Sequence, residues 1–328
     1  MSFGADSSPV AFGTGAGSDG DRTLFLKQFG GEVLTAFVAS TVTAGKVREK
    51  TIGAGKSWQF PRTGTSIAEY VTRGKELLGN DFKTDEVTVT VDMPLTSSHA
   101  IWDMDELMSH FDVRAPMVQE MGAVIARTRD QNTFRQLILA ARTAGSSLVG
   151  NGGGERIVDA GLTAVAGTDG VLWMQKIREA KAKLFAKKVP QGATIYMAVN
   201  YTVFDAIKYA QINGTFVNLN SMVNLASAGL GAAVTDAIRF EGVTIFPTLL
   251  LPNENDTADT TVYSKYRADF SASTGIMWAP DAVATLVLRG ITSEQTRDVR
   301  RQEDFMVSSL ICGHGTLRSE LAVEFATA

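Results

Sequence analysis

Val87, Val89, Val91 and Met93 alternate with Thr88, Thr90 and Asp92, the period-two signature of a strand with one apolar and one hydroxyl-rich face. Upstream, Ser57-Trp58-Gln59-Phe60 reads as a short strand, with Pro61 expected to end its hydrogen bonding. Between the two lies a polar, charged stretch through Tyr70, Arg73, Lys75, Glu76, Asn80 and Asp81. Two strands around a long polar tip predict an extended hairpin. Nearer the start the period changes. Leu24, Phe25, Gln28, Phe29, Glu32, Val33, Ala36 and Phe37 fall at helical spacing with the phenylalanines on one face, and Gly30-Gly31 weakens the middle. Residues 1–22, built from Gly, Ser, Ala and Asp, hold too few apolar side chains to offset the entropy of ordering, which predicts a flexible arm.

A short helix over Asp103 to His110 is followed by a helical pattern from Pro116 to about Arg142. Those 27 or so residues span roughly 40 Å, long for a globular helix. Met117, Met121, Val124, Ile125, Thr128, Leu137, Ile138 and Ala141 mark its expected packed stripe, and Arg127, Arg129, Asp130 and Gln131 its expected wet face. Residues 143–170, with Gly150-Asn151-Gly152-Gly153-Gly154, read as a loop and domain boundary. Mixed elements follow: helices over Val171 to Lys187 and Tyr201 to Gln211, and strands over Ala193 to Val199, Val243 to Phe246 and Thr260 to Tyr263. Such an α+β succession needs a sheet covered by helices. Strands return at Ala284 to Leu288 and at the alternating Leu321, Val323 and Phe325.

With 328 residues and 45% hydrophobic side chains the chain can bury a real core, which excludes a disordered protein. Its 31 Lys+Arg against 35 Asp+Glu, a net charge of -4, is far from the basic profile of a tight phosphate binder, so contact with nucleic acid should be weak or local. No apolar run is long enough to span a membrane, and no secretory leader is visible, so a soluble, cytosolic product is expected. Cys312 has no partner for an internal disulfide and reads as a small buried hydrophobe.

The chemical candidates fall short one by one. Gly53-Ala54-Gly55-Lys56-Ser57 ends like a phosphate-cradling loop, but Lys50 stands where its first glycine belongs and the extended Trp58-Gln59-Phe60-Pro61 where its helix should start. The glycines at 150–154 lack dinucleotide-binding spacing. His99, His110 and His314 show no metal-ligand spacing, and the acidic turn Asn253-Glu254-Asn255-Asp256 reads as solvated, without the glycine of a calcium loop. No catalytic residues, cofactor or metal are expected. The long basic-and-acidic helix lacks interleaved aromatics, so a solvated face fits it better than a nucleic-acid reader. A polar-tipped hairpin and a glycine-rich arm cannot bury their own apolar faces, and they make sense if neighbouring copies cover them.

Leu24-Phe25-Leu26-Lys27-Gln28-Phe29-Gly30-Gly31-Glu32-Val33-Leu34-Thr35-Ala36-Phe37 resembles the signature helix of the major capsid proteins of short-tailed, double-stranded DNA bacteriophages of the T-seven group. Similar segments follow in the same order: Gly55-Lys56-Ser57-Trp58-Gln59-Phe60-Pro61, His110-Phe111-Asp112-Val113-Arg114, Val189-Pro190, Phe240-Glu241-Gly242-Val243 with Pro247, and Gly313-His314-Gly315-Thr316-Leu317-Arg318. The resemblance implies the Hong Kong phage-type viral capsid fold: an N-terminal arm and helix (1–41), an extended E-loop hairpin with flanking strands (42–98), a peripheral domain with a long spine helix (99–150), an axial α/β domain (151–280), and a β-rich return segment (281–328). It also implies hexamers and pentamers of one chain tiling an icosahedral shell, assembled in the host bacterial cytoplasm as a procapsid. The partners implied are a scaffolding protein, separate because the arm before Arg22 is too short to be a fused one, a portal protein at one vertex, and packaged double-stranded DNA in weak contact. Phe25, Phe29, Arg73, Lys75, Glu76, Val87, Val89 and Val91 are the expected subunit-interface residues. The reading from another class is a nucleotide-binding enzyme using a degenerate P-loop around Lys56.

Overall fold

A computed structural model gives the fold. Outside the described residues lie 1–31, 103–113, 146–151, 166–168, 217–236 and scattered positions, most of them between 65 and 82. Along the chain run a helix α1 through residues 32–38, then β1 (Arg48–Thr51), β2 (Ser57–Thr63), β3 (Thr84–Thr90) and β4 (Leu95–Trp102). Next come α2 (Arg114–Arg142), β5 (Glu155–Val158), α3 (Gly170–Ala186), β6 (Ile195–Val199), α4 (Tyr201–Lys208) and a minimal hairpin of β7 (Gln211–Ile212) and β8 (Thr215–Phe216). The rest is β9 (Ile238–Phe240), β10 (Val243–Pro247), β11 (Ser273–Trp278), β12 (Val283–Asp298), β13 (Glu303–Thr316) and β14 (Ala322–Ala326). These residues group into two compact units.

The described residues of the smaller unit fall within 32–41, 93–128 and 289–311. In it β4 pairs antiparallel with β13 from Glu303↔Trp102 to Leu310↔Leu95. Val33, Ile101, Val118, Met121 and Met306 form its core. Here α1 approaches the first half of α2 at Gly122, where a Cβ would sit 2.5 Å from the Val33 carbonyl oxygen. Val33 is buried as the helical spacing requires, while Phe25, Phe29 and the expected helix at Asp103–His110 lie outside the described residues.

The larger unit holds 42–92, 129–288 and 312–328. Its six-stranded sheet has the order β5-β14-β11-β6-β10-β9, with β6·β10 and β14·β5 parallel and the other pairs antiparallel. All five residues of β14 are buried, because both faces of the sheet are covered. On one face Trp173 of α3 packs against Phe325, their rings 5.5 Å apart. On the other, Phe134 from the second half of α2 meets Trp278 edge-on at 6.0 Å. Asp169 caps α3 by accepting from the Val171 and Leu172 amides, and Trp173, Met174, Ile177, Ala180 and Leu184 form its buried stripe.

Several expectations need correction. Strand β2 continues through Pro61 to Thr63, paired Pro61↔Glu86, because a strand with a single partner needs its N–H only at alternate residues. Thr260 to Tyr263 is not a strand: the Asp259 carboxylate takes the Thr261 N–H and hydroxyl, and Arg267 donates to the Thr260 and Val262 carbonyls. Helix α4 ends at Lys208, and Gln211 belongs to β7. Arg129 and Asp130 are not on a wet face but buried. Arg129 pairs with Glu49, and Asp130 accepts from the Val42 N–H at 2.5 Å and from the Thr43 hydroxyl. Burial raises the Asp130 pKa against these hydrogen bonds. Val124, assigned to the packed stripe, is exposed. The turn at 253–256 is not wholly solvated either, since Asp256 is buried on Arg135 at 2.8 Å.

Glu324, within β14, is also fully buried. Arg142 holds both its oxygens, at 2.8 and 2.6 Å, Ser273 donates to one, and Arg156 reaches the other at 3.4 Å. Arg142→Met leaves this carboxylate with little compensation, so urea unfolding should show a loss of about 3 kcal/mol, at the low end for breaking a buried pair because Arg156 stays. Adding Glu324→Gln should recover part of it. A single variant as stable as the parent would contradict this account.

Candidate assembly surface

Strands β2 and β3 form a two-stranded ribbon in strict register, from Ser57↔Thr90 to Thr63↔Thr84. At its root the apolar side chains turn onto the chain itself: Ile52, Phe60 and Val89 pack with Ala284, Leu286 and Leu317, and Val87 and Val91 lie half-buried beside them. Val89, expected at a subunit interface, is only 1% exposed within the single chain, and its alternation serves an intrachain core. Val87 and Val91 share that core. Arg48 stacks over Phe60 and Lys50 over Trp58, which adds cation–π contacts at the root. Arg62 ties the ribbon's flank to Asp85 at 2.9 Å and to the Leu317 carbonyl at 3.3 Å.

Beyond Thr63 and Thr84 the chain runs out to the tip. Its described residues are solvent-facing: Tyr70 is 104% exposed, and Val71, Arg73 and Glu76 are exposed too. Lys75 lies outside the described residues. An aromatic standing fully in water beside an exposed valine, at the end of a ribbon, leaves apolar area uncovered.

Under the root, β13 contributes Gly313, His314 and Gly315. A Cβ on Gly313 would lie 2.2 Å from the Thr90 carbonyl oxygen, and one on Gly315 2.8 Å from a Val89 methyl, so the end of β3 rests on bare backbone. Burial pushes the Cys312 thiol up to about 11, which fits an inert packed sulfur. His314 is buried beside it, with Nδ1 2.9 Å from the Thr285 hydroxyl oxygen and Nε2 without a hydrogen-bond partner. Burial, and then Arg129 and Lys265, holds its pKa down to about 3. In the sequence His314 stands only in the family-like segment Gly313–Arg318 and lacks metal-ligand spacing; its burial is not legible there. Among the described residues no group of His, Cys, Asp and Glu could hold a metal ion.

The segment Gly53 to Ser57 leads into β2, a strand, so no helix amides face a phosphate there. No helix among the described residues is long and apolar enough to cross a membrane.

Comparison with known proteins bears on what this surface is for. The family model described as Gp10A-like major capsid protein matches residues 59–326. The chain belongs to that family. It is 30% identical to the major capsid protein of Enterobacteria phage T3, over 94% of this chain and 93% of the relative, and 27% identical to the major capsid protein of Escherichia phage T7, over 94% of each. Among solved structures, the capsid of the cyanophage P-SCSP1u matches with a TM-score of 0.70 at 30% identity over 88% of each chain. The mature capsid of bacteriophage PhiM1 matches with a TM-score of 0.69 at 17% identity, a likeness of fold, over 88% of this chain and 87% of that one. The fold is therefore the Hong Kong phage-type capsid fold, a mixture of helices and sheets.

The buried imidazole gives this capsid protein a pH signature. The folded state keeps His314 neutral down to about pH 3, whereas the unfolded chain takes up a proton near pH 6.5. Between those values the unfolded state binds the extra proton, so stability falls as pH falls, by roughly 1.4 kcal/mol per pH unit from this group. His314→Gln should flatten the slope of unfolding free energy between pH 6 and pH 4 relative to the parent. Equal slopes would remove His314 from the acid response.

Proposed function

We propose that copies of this chain tile, as hexamers and pentamers, the icosahedral shell that encloses the double-stranded DNA of a short-tailed phage, and that the role is structural and not catalytic. The observation that carries this reading is the hairpin. Its root is buried in its own chain, while its tip presents Tyr70, Val71, Arg73 and Glu76 to water. A ribbon of two strands is marginal in isolation, so the tip gains order by lying on a neighbouring copy. Arg73, Lys75 and Glu76 then act between chains, each exposed pair contributing only about 0.2–1 kcal/mol, repeated at every subunit. Phe25 and Phe29 belong to the arm and helix at 1–41, which we assign to subunit contacts by the same logic. The division into hairpin at 42–98, peripheral domain at 99–150, axial domain at 151–280 and return segment at 281–328 assigns the remaining parts.

A separate scaffolding protein, a portal protein at one vertex and weak, non-specific contact with packaged DNA complete the proposed partners. Assembly of a procapsid in the host bacterial cytoplasm precedes the virion. The net charge of -4 supports this use, because a wall that adsorbed DNA tightly would hinder its packing.

Replacing residues 71–81 by a short Gly-Ser turn tests the reading. The expected product is a folded subunit, with the parent's circular dichroism and unfolding midpoint, that fails to give stable particles in electron micrographs. Normal, heat-resistant particles from that variant would refute it.

A further inference from the structure

Two strands paired only with each other do not determine where they point, so the direction of the β2–β3 hairpin is set at its root. There the Val91 N–H closes the ribbon on the Lys56 carbonyl at 2.8 Å, and the Asp92 N–H passes to the Cys312 carbonyl at 3.1 Å. Past that point the side chain of Asp92 is the last fixture of the hairpin. One carboxylate oxygen accepts the Tyr266 hydroxyl, and the other lies 3.3 Å from the Lys265 ammonium, which also reaches the Thr90 carbonyl at 3.5 Å. The Tyr266 oxygen in turn accepts the backbone N–H of His314 at 3.0 Å. One hydroxyl therefore joins Asp92, just past the end of β3, to the backbone of β13. Tyr266 is completely buried, and its ring lies 5.8 Å from that of His314. Burial and the Asp92 carboxylate raise its pKa, so the phenol keeps the proton it donates.

We infer that Asp92, Lys265 and Tyr266 form a clamp that fixes the direction in which the hairpin leaves the subunit, and with it the angle at which neighbouring subunits join. These are positioning residues: none of them belongs to the exposed tip. A phenylalanine would fill the volume of Tyr266 equally well, so what its hydroxyl contributes is the link between the two strands. The inference rests on the reading of the hairpin as an intersubunit arm, and its test separates the two.

Hydrogen exchange on the full-length subunit reads the clamp alone. Tyr266→Phe should speed amide exchange in residues 57–63 and 84–92 by roughly tenfold or more, while residues 195–199 of the central sheet keep the parent's protection. Asp92→Asn, which keeps the shape and loses the charge, should change the same amides in the same direction by less, and it decides the question if Tyr266→Phe does not fold. Particles recovered when each variant replaces the parent gene in the phage read the consequence: their diameters should spread, where the parent's are uniform. Unchanged exchange at the hairpin root in the folded variants overturns the clamp. Faster exchange with particles of normal, uniform diameter overturns its link to the joining angle. A parent chain absent from particles would instead defeat the assembly reading, whatever the exchange data show.

Discussion

A two-stranded ribbon has no second partner for its backbone and only a narrow face to bury, so the β2–β3 hairpin keeps its course only through what holds its root. That constraint explains otherwise unrelated features of the sequence. Gly313 and Gly315 are bare because Thr90 and Val89 press on them. Val87, Val89 and Val91 are apolar because Leu286 and Leu317 lie beneath, and Tyr70 can stand in water because the root does not depend on it. The division between a buried root and an exposed tip is what a shell subunit needs, since one end must be fixed before assembly and the other satisfied by it.

Buried charges recur at the points where distant segments of the larger unit meet. Asp130 receives the backbone at Val42 and Thr43, Asp256 receives Arg135, and Glu324 receives Arg142 and Arg156. Each carboxylate carries hydrogen bonds or charged partners that offset its desolvation, and each would be costly if its partners moved. Such pairs add little net stability compared with apolar packing, but they tolerate few alternative arrangements. In a particle built from many copies of one chain, that selectivity matters more than a few kcal/mol per subunit.

What could be read from the sequence was local in origin. The alternation at Val87 to Val91, the long helical pattern ending at Arg142 and the strand expected over Ala193 to Val199, observed as Ile195–Val199, came through because each depends on neighbours within a few positions. The misreadings have a common cause. Periodicity assigns Arg129, Asp130 and Asp256 to water because they are charged, and cannot see the partners that let them be buried. Pro61 looked like a strand end because the single-sided pairing of β2 is a property of the whole sheet arrangement. The clamp at the hairpin root was invisible for the same reason: Tyr266 and Asp92 are 174 positions apart, and neither stands out in its own surroundings. The resemblance of 24–37 and 55–61 to a capsid family supplied the fold that spacing alone left open, and the family match over residues 59–326 agrees with it.

The central claim is that the exposed end of the hairpin finds its packing partner on another copy of the chain, and protease access to the tip tests it most directly. Arg73 is exposed in the subunit, so trypsin should cut after it readily when subunits are free. In purified particles the same bond should be cut roughly tenfold more slowly or less, as measured by mass spectrometry of the released fragments, while exposed sites elsewhere on the subunit serve as the reference. Equal cleavage after Arg73 in free subunits and in intact particles would contradict the account.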